Sequence, residues 1–269
     1  MPVHNDGTEK RQGSQAVDTE ILTLGMGCFW GPEALFGHLP GVLHTRTGYA
    51  GGTTPAPVYR QLGDHSETVE IEFNSSVITL EQLLELFWNH HNPSVINGYK
   101  GRQYQSLLFY RNEQQHRKMK QMQQMQQMQQ MQQMQQMKRT TAKTDEFSLQ
   151  KDRSYTADSA EAGNAETIDP TVLERRRLTE IQPYQAWYLA EARHQKYYLQ
   201  RQHQLMERLY ELYPDQNDLF HSTLAARLNG FSRGHITLVQ IRQEVPDWPI
   251  SKTMQQRIDQ WLTDQQNEQ

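Results

Sequence analysis

Gly25-Met26-Gly27-Cys28-Phe29-Trp30-Gly31 joins two segments of different character, and its reading decides the fold. Before it, the apolar run Ile21 to Leu24 predicts a short buried strand; after it, Pro32-Glu33-Ala34-Leu35-Phe36 predicts a helix with proline in its first turn. Cys28, the chain's one cysteine, therefore falls at a strand-to-helix turn. Unpaired backbone N–H groups and the positive end of a helix dipole favour an anion there, so thiolate is expected to form more readily than at the ordinary pKa of about 8.5. Cys28 is thus a candidate nucleophile. The plainer reading of a lone cysteine is a small buried hydrophobe.

Working outward, the chain of 269 residues is long enough for one packed domain with additions, and its composition favours additions. Only 36% of residues are apolar and the mean hydropathy is -0.86, so part of the chain is expected to stay solvated. A single cysteine excludes an intramolecular disulfide framework and suits a reducing, cytoplasmic setting. Residues 1 to 20 have no apolar core and carry acidic residues, unlike a secretory or mitochondrial leader, and are expected to be a disordered tail. No run approaches membrane-spanning length. A net charge of -4 and a pI near 6.3 argue against a dedicated nucleic-acid binder, which needs surplus cations for phosphates.

His44 to Gly52 predicts a strand ending in a flexible loop through Pro55 and Pro57, with Tyr59 just beyond. In Thr68 to Phe73, Val69, Ile71 and Phe73 alternate with Glu70 and Glu72, which predicts a half-buried strand with Glu67 at its mouth. Leu80, Leu83, Leu84, Phe87 and Trp88 follow the spacing of a helix with one apolar face. Asn92-Pro93 breaks it, and a loop through Gly98 and Gly101 leads to Gln103-Tyr104-Gln105-Ser106 and a strand at Leu107 to Tyr110. Folded character returns with a strand at Leu178 to Ile181 and a long helix from Ala190 to Leu212, stopped by Pro214 and carrying Glu191 and His194 near its start. Short helices packed on the body are expected after it.

Between these parts, Met119, Met122, Met125, Met128, Met131, Met134 and Met137 recur every three residues, separated mostly by glutamine pairs. On a helix each is displaced by about 60 degrees from the last, so the row winds around the cylinder without a fixed apolar face. The tract is expected to be an exposed helical continuation or disordered, and the Ser-, Thr-, Ala- and Asp-rich segment after it to be linker. Repeat expansion in a tolerated loop is the plainer explanation; a repairable oxidant sink and a polyglutamine-like interaction surface are the alternatives.

The order of GCFWG around Cys28, GYAGG at Gly48 to Gly52, Pro57-Val58-Tyr59, His65-Ser66-Glu67, Gln103-Tyr104-Gln105-Ser106 and Ala190-Glu191-Ala192-Arg193-His194-Gln195 resembles the A-type peptide methionine sulfoxide reductases. The short link from Tyr59 to Glu67 and Leu228-Asn229-Gly230 look most like the arthropod branch. The resemblance covers residues 21 to 112 and 174 to 213. It implies an α+β fold in two layers, a mixed sheet flanked by helices, around an open basin that accepts methionine sulfoxide in proteins. The implied organisation is a tail at 1–20, a catalytic domain in two parts at 21–113 and 171–215, a Met/Gln-rich insertion and linker at 114–170, and a helical C-terminal extension at 216–269.

In that chemistry a soft nucleophile attacks sulfur while the S–O oxygen is protonated and leaves as water. The resemblance assigns attack to Cys28 and proton donation to Glu67, a role a carboxyl can fill when burial raises its pKa. It gives Tyr59 and Tyr104 hydrogen bonds to the oxygen, and Phe29 and Trp30 an apolar cup for the S-methyl group. Taken singly, each has a plainer reading, as core aromatics, sheet tyrosines or a surface carboxylate; around one cysteine they favour the site. Glu191 and His194 are read as anchors of their helix.

The sequence departs from the family pattern twice. Tyr99 stands where many members have aspartate, and no second cysteine is present to resolve the Cys28 sulfenic acid. The reading therefore requires no bound cofactor but an external thiol: glutathione, a thioredoxin-type protein, or dithiothreitol in vitro. Oxidised proteins would be the substrates of a monomer with no nucleic-acid or membrane partner. The alternative is an inactive homologue that binds sulfoxides or senses redox state.

Overall fold

In the computed structural model, residues 18–149 and 179–267 are described, so the expected tail as far as residue 17, the expected linker from 150 to 170 and the first residues of the expected second catalytic part, 171 to 178 with the strand position Leu178, lie outside the described residues. The centre is a six-stranded mixed sheet: β1 (Thr19–Met26), β2 (Val42–Ala50), β3 (Ser66–Asn74), β5 (Ser106–Tyr110), β6 (Glu180–Pro183) and β7 (Trp187–Leu189), in the order β6-β5-β1-β3-β2-β7. Neighbours are antiparallel except β5 and β6, which run parallel. A short extended piece, β4 (Tyr99–Arg102), lies outside that order. This is the expected α+β architecture.

Leu22, Leu24 and Met26 alternate along β1, so their side chains share one face of the sheet. There they pack with Phe36 of α1 (Trp30–Gly37), with Leu80, Leu83, Leu84 and Phe87 of α2 (Leu80–Asn89), and with Met119 of α4 (Glu113–Leu149). α2 starts at a capping box in which Thr79 and Gln82 satisfy each other's backbone N–H groups. The opposite face carries a smaller cluster of Ala50, Leu107 and Phe109. A four-residue helix, α3 (Pro93–Ile96), precedes β4.

Two expectations change. β3 is not half-buried: it lies inside the sheet between β1 and β2, so Glu67 and Glu70 are buried along with Val69 and Ile71. Glu70 is tolerated because Arg46 and Arg111 hold its two oxygens. The helix expected over Ala190 to Leu212 is broken into two single turns, Ala192–His194 and Leu199–Arg201, before α5 (His203–Leu212). Its periodicity is overridden by Gln195, whose amide bonds the backbone of Thr47 and Ala190, and by Lys196, whose φ is +48°.

Packing is continuous across residues 114 and 215. Met119 is fully buried in the sheet's core and Met122 packs partly against it, whereas Met125, Met128 and Met131 are exposed. That sequence is the expected rotation of the row away from the body. At the other end, Leu199, Met206, Leu209 and Leu212 belong to a second core with Leu219, Leu224, Leu228, Ile241, Ile258 and Leu262. This helical layer comprises α5, α6 (Gln216–Phe220), α7 (Thr223–Ser232), α8 (Leu238–Glu244) and α9 (Lys252–Asn267). α7 sits so close to α1 that a Cβ on Gly37 would come within 2.8 Å of the Ala226 carbonyl oxygen.

Candidate functional site

Cys28 lies in the turn between β1 and α1, and Gly27 before it has φ +82°, a left-handed conformation that glycine adopts without the Cβ penalty. Phe29 anchors the turn from below. It is 1% exposed against Tyr49, Trp30 and His194, a burial that contributes roughly 1.5–3 kcal/mol. Of the two aromatics expected to form the cup, Phe29 is thus packing beneath the surface. Trp30 is partly exposed, with one face stacked on Tyr197 at 3.5 Å and its Nε1–H donating to His194 Nδ1 at 3.3 Å.

Glu67 enters from β3, 1% exposed. Its Oε2 accepts from the Phe29 backbone N–H at 3.1 Å, and its Oε1 from Gln103 Nε2 at 2.8 Å. The first bond holds the carboxyl beside the Cys28 turn, near enough for the carboxyl and the thiol to influence each other's ionisation. Among the described residues no Lys, Arg or His is at ion-pair distance from Glu67. Burial consequently raises its pKa, against the opposing pull of the Gln103 and Phe29 donors and of Lys100.

The thiol departs from expectation. Its pKa is raised, because burial and then the nearby Glu67 carboxylate outweigh the Trp30 backbone N–H, the Tyr104 hydroxyl and Lys100, which favour thiolate. The helix-terminal donor is present; burial of the thiol, with the neighbouring carboxylate added, exceeds it, an effect that local sequence does not reveal.

Tyr104 comes near the same point from the loop before β5, and its pKa is raised by burial and by the Glu67 and Cys28 charges. Tyr59 is near enough to influence Tyr104; its ring lies 4.7 Å from His194 and its backbone N–H donates to Glu191 Oε1 at 3.1 Å. Tyr99, in place of aspartate, is 73% exposed and stacks on Tyr104 at 6.3 Å, so it shields that ring instead of supplying a charge.

Several residues that hold this cluster were not singled out as site residues from sequence. Gln103 is the amide partner of Glu67, and Lys100 is the nearby cation, 5.5 Å from the Tyr104 ring. Both sit in the Gly98–Ser106 loop, whose motif marked only Tyr104. Tyr49, wholly buried, donates to Glu191 Oε2 at 2.7 Å, so Glu191 ties β2 to the Tyr59 backbone. Glu191 and His194 do anchor, but they anchor the Tyr59 loop and Trp30, not a long helix. His65 pins the β2–β3 loop, with Nε2 donating to the Thr54 carbonyl and Nδ1 accepting from Gly52 N–H.

A family model described as Peptide methionine sulfoxide reductase matches residues 20–153. A peptide methionine sulfoxide reductase of Drosophila melanogaster is 33% identical over 240 residues, covering 89% of this chain and 79% of the relative. Peptide methionine sulfoxide reductase A5 of Oryza sativa subsp. japonica is 34% identical over 235 residues, covering 85% of this chain and 74% of the relative. Among solved structures, methionine sulfoxide reductase A of Corynebacterium diphtheriae aligns over 69% of this chain and 76% of that one with 26% identity and a TM-score of 0.45.

Proposed function

Since the chain belongs to the peptide methionine sulfoxide reductases, oxidoreductases acting on methionine sulfoxide, we propose that it reduces the S epimer in proteins through Cys28, with Glu67 as proton donor. Cys28 Sγ bonds to the sulfoxide sulfur as thiolate, its proton having passed to Glu67. The S–O oxygen, hydrogen-bonded by Tyr104 and Tyr59, takes that proton from Glu67 and a second from solvent, and leaves as water; the second proton is returned when water attacks in the next step. Water then takes the Cys28 sulfur, releasing the thioether and leaving a sulfenic acid. Methionine sulfur gains two electrons and Cys28 loses two.

The observation that carries this reading is the placement of the Glu67 carboxyl beside the Cys28 turn, 1% exposed and held by the Phe29 backbone N–H and the Gln103 amide. A proton passed between Cys28 and Glu67 leaves their total charge unchanged, so the raised thiol pKa does not prevent attack. Trp30 contributes the open apolar wall for the S-methyl group, and Phe29 supports it from behind.

With one cysteine in the chain, the sulfenic acid is resolved from outside. One external thiol forms a mixed disulfide with Cys28 and releases water; a second displaces it and regenerates the thiol. Glutathione or a thioredoxin-type protein serves in the cytoplasm, and dithiothreitol in vitro. The described residues include no helix long and apolar enough to cross a membrane.

The test is reduction of each epimer of a methionine sulfoxide peptide with dithiothreitol. The S epimer should turn over with wild type and not with Cys28→Ser. Binding of the sulfoxide without turnover by wild type would instead support a sensing role.

A further inference from the structure

The direction of α4 gives its methionines a position that the repeat alone does not. At its start, Gln115 Nε2 donates to the Ile21 carbonyl at 3.2 Å and to Glu20 at 3.3 Å, at the beginning of β1. Two turns on, Gln123 Nε2 donates to the Thr179 carbonyl at 2.6 Å, and Thr179 Oγ1 meets Ser106 Oγ at 2.7 Å. Ser106 pairs with Met26, two residues before Cys28. α4 therefore runs back along the sheet towards the end that carries Cys28, and then continues to Leu149. At 1.5 Å per residue the continuation is about 40 Å long.

Along this path Met119 is wholly buried, whereas Met125, Met128 and Met131 are 46%, 51% and 52% exposed. From Gln121 to Met137 the sequence holds only glutamine and methionine, so no charge shields the thioethers. Their 60-degree displacement per step makes no stripe for a partner helix to cover. What Met125, Met128 and Met131 present is a series of accessible, oxidisable sulfurs.

We propose that Met125, Met128 and Met131 are a reversible oxidant-consuming site whose sulfoxides are substrates for Cys28 of a second copy of this chain. The proposal rests on the reductase reading above. A hydroperoxide transfers one oxygen to the thioether and leaves as alcohol or water; Cys28 takes the sulfoxide back to thioether and becomes sulfenic acid; two external thiols restore Cys28 and leave as disulfide plus water. The sum is thiol-dependent reduction of hydroperoxides with methionine as carrier. Repair falls to another copy because residues within a continuous helix cannot fold back to present their side chains to Cys28 of the same chain.

Full-length Cys28→Ser protein is treated with hydrogen peroxide, freed of it, and mapped by mass spectrometry. Sulfoxide should accumulate at Met125, Met128 and Met131 about tenfold or more ahead of Met119, which must wait for local opening. Catalytic wild-type protein with dithiothreitol should then remove about half of it, the share of one epimer in a roughly even mixture. A methionine sulfoxide peptide is followed in the same tube. Peptide reduced while the α4 sulfoxides persist overturns the proposal and leaves the reductase reading standing; failure to reduce the peptide overturns both.

Discussion

Two carboxylates from adjacent parts of the fold are buried to nearly the same extent and are managed in opposite ways. Glu33 of α1 is inaccessible, with Oε2 accepting from the Lys196 backbone N–H at 2.7 Å and Oε1 meeting Lys196 Nζ at 2.8 Å. That ammonium is itself wholly buried and donates also to the Thr45 carbonyl at 2.5 Å. Burial pushes the Glu33 pKa up, and the lysine pulls against it with a full charge. Glu67 has a backbone and a side-chain amide donor in place of the ammonium. A charge matched by a charge fixes two segments of chain together; a carboxyl matched by neutral donors keeps a proton within reach of chemistry.

The contrast gives an ordered set of outcomes. Cys28→Ser should abolish peptide reduction altogether, whichever carboxylate is intact. Lys196→Met or Glu33→Gln should cost about 3–5 kcal/mol of stability, because either leaves a buried partner unmatched. The double variant should recover much of that loss, as read from denaturant unfolding. Glu67→Gln should leave stability within about 1 kcal/mol, since no buried cation is orphaned, yet slow the reduction by roughly 10²-fold. The same variant should lower the Cys28 pKa in an alkylation profile, because the carboxylate beside the thiol is one of the causes that raise it.

Smaller effects follow around Glu67. Wild-type activity should fall on the acid side as Glu67 and Cys28 are both protonated, and on the alkaline side as both lose their protons, with each limb above the ordinary range for its group. Gln103→Leu removes a donor that lowers the Glu67 pKa, so the acid limb should move to higher pH. Lys100→Ala should slow turnover by less than about threefold, and less still at high salt, since this exposed cation acts through solvent.

Much of this was legible in the sequence where the cause is local. The strand-turn-helix around Cys28, the α2 face and the winding of the methionine row all follow from spacing, and the motif order marked Cys28, Glu67, Tyr59 and Tyr104 together. What escaped depends on distant partners. The alternation of β3 predicts one buried face, but β1 and β2 flank it, and Arg46 and Arg111 make Glu70 acceptable inside. The helical pattern from Ala190 gives way because Gln195 and Lys196 are used by β2 and α1, and the pair with Glu33 helps offset a left-handed lysine backbone that costs roughly 1–2 kcal/mol. The thiol's pKa was misjudged for the same reason: the fold buries it, and the carboxylate that adds to the effect is 39 residues away in the chain.

The central claim, that Cys28 takes the oxidation while Glu67 supplies the proton, is tested most directly by single turnover without reductant. Wild-type protein mixed with a methionine S-sulfoxide peptide should release one methionine per chain and leave one sulfenic acid, trapped by dimedone at Cys28. Glu67→Gln should reach the same end point about 10²-fold more slowly. Methionine formed with no adduct at Cys28, or formed at the wild-type rate in Glu67→Gln, would contradict the account.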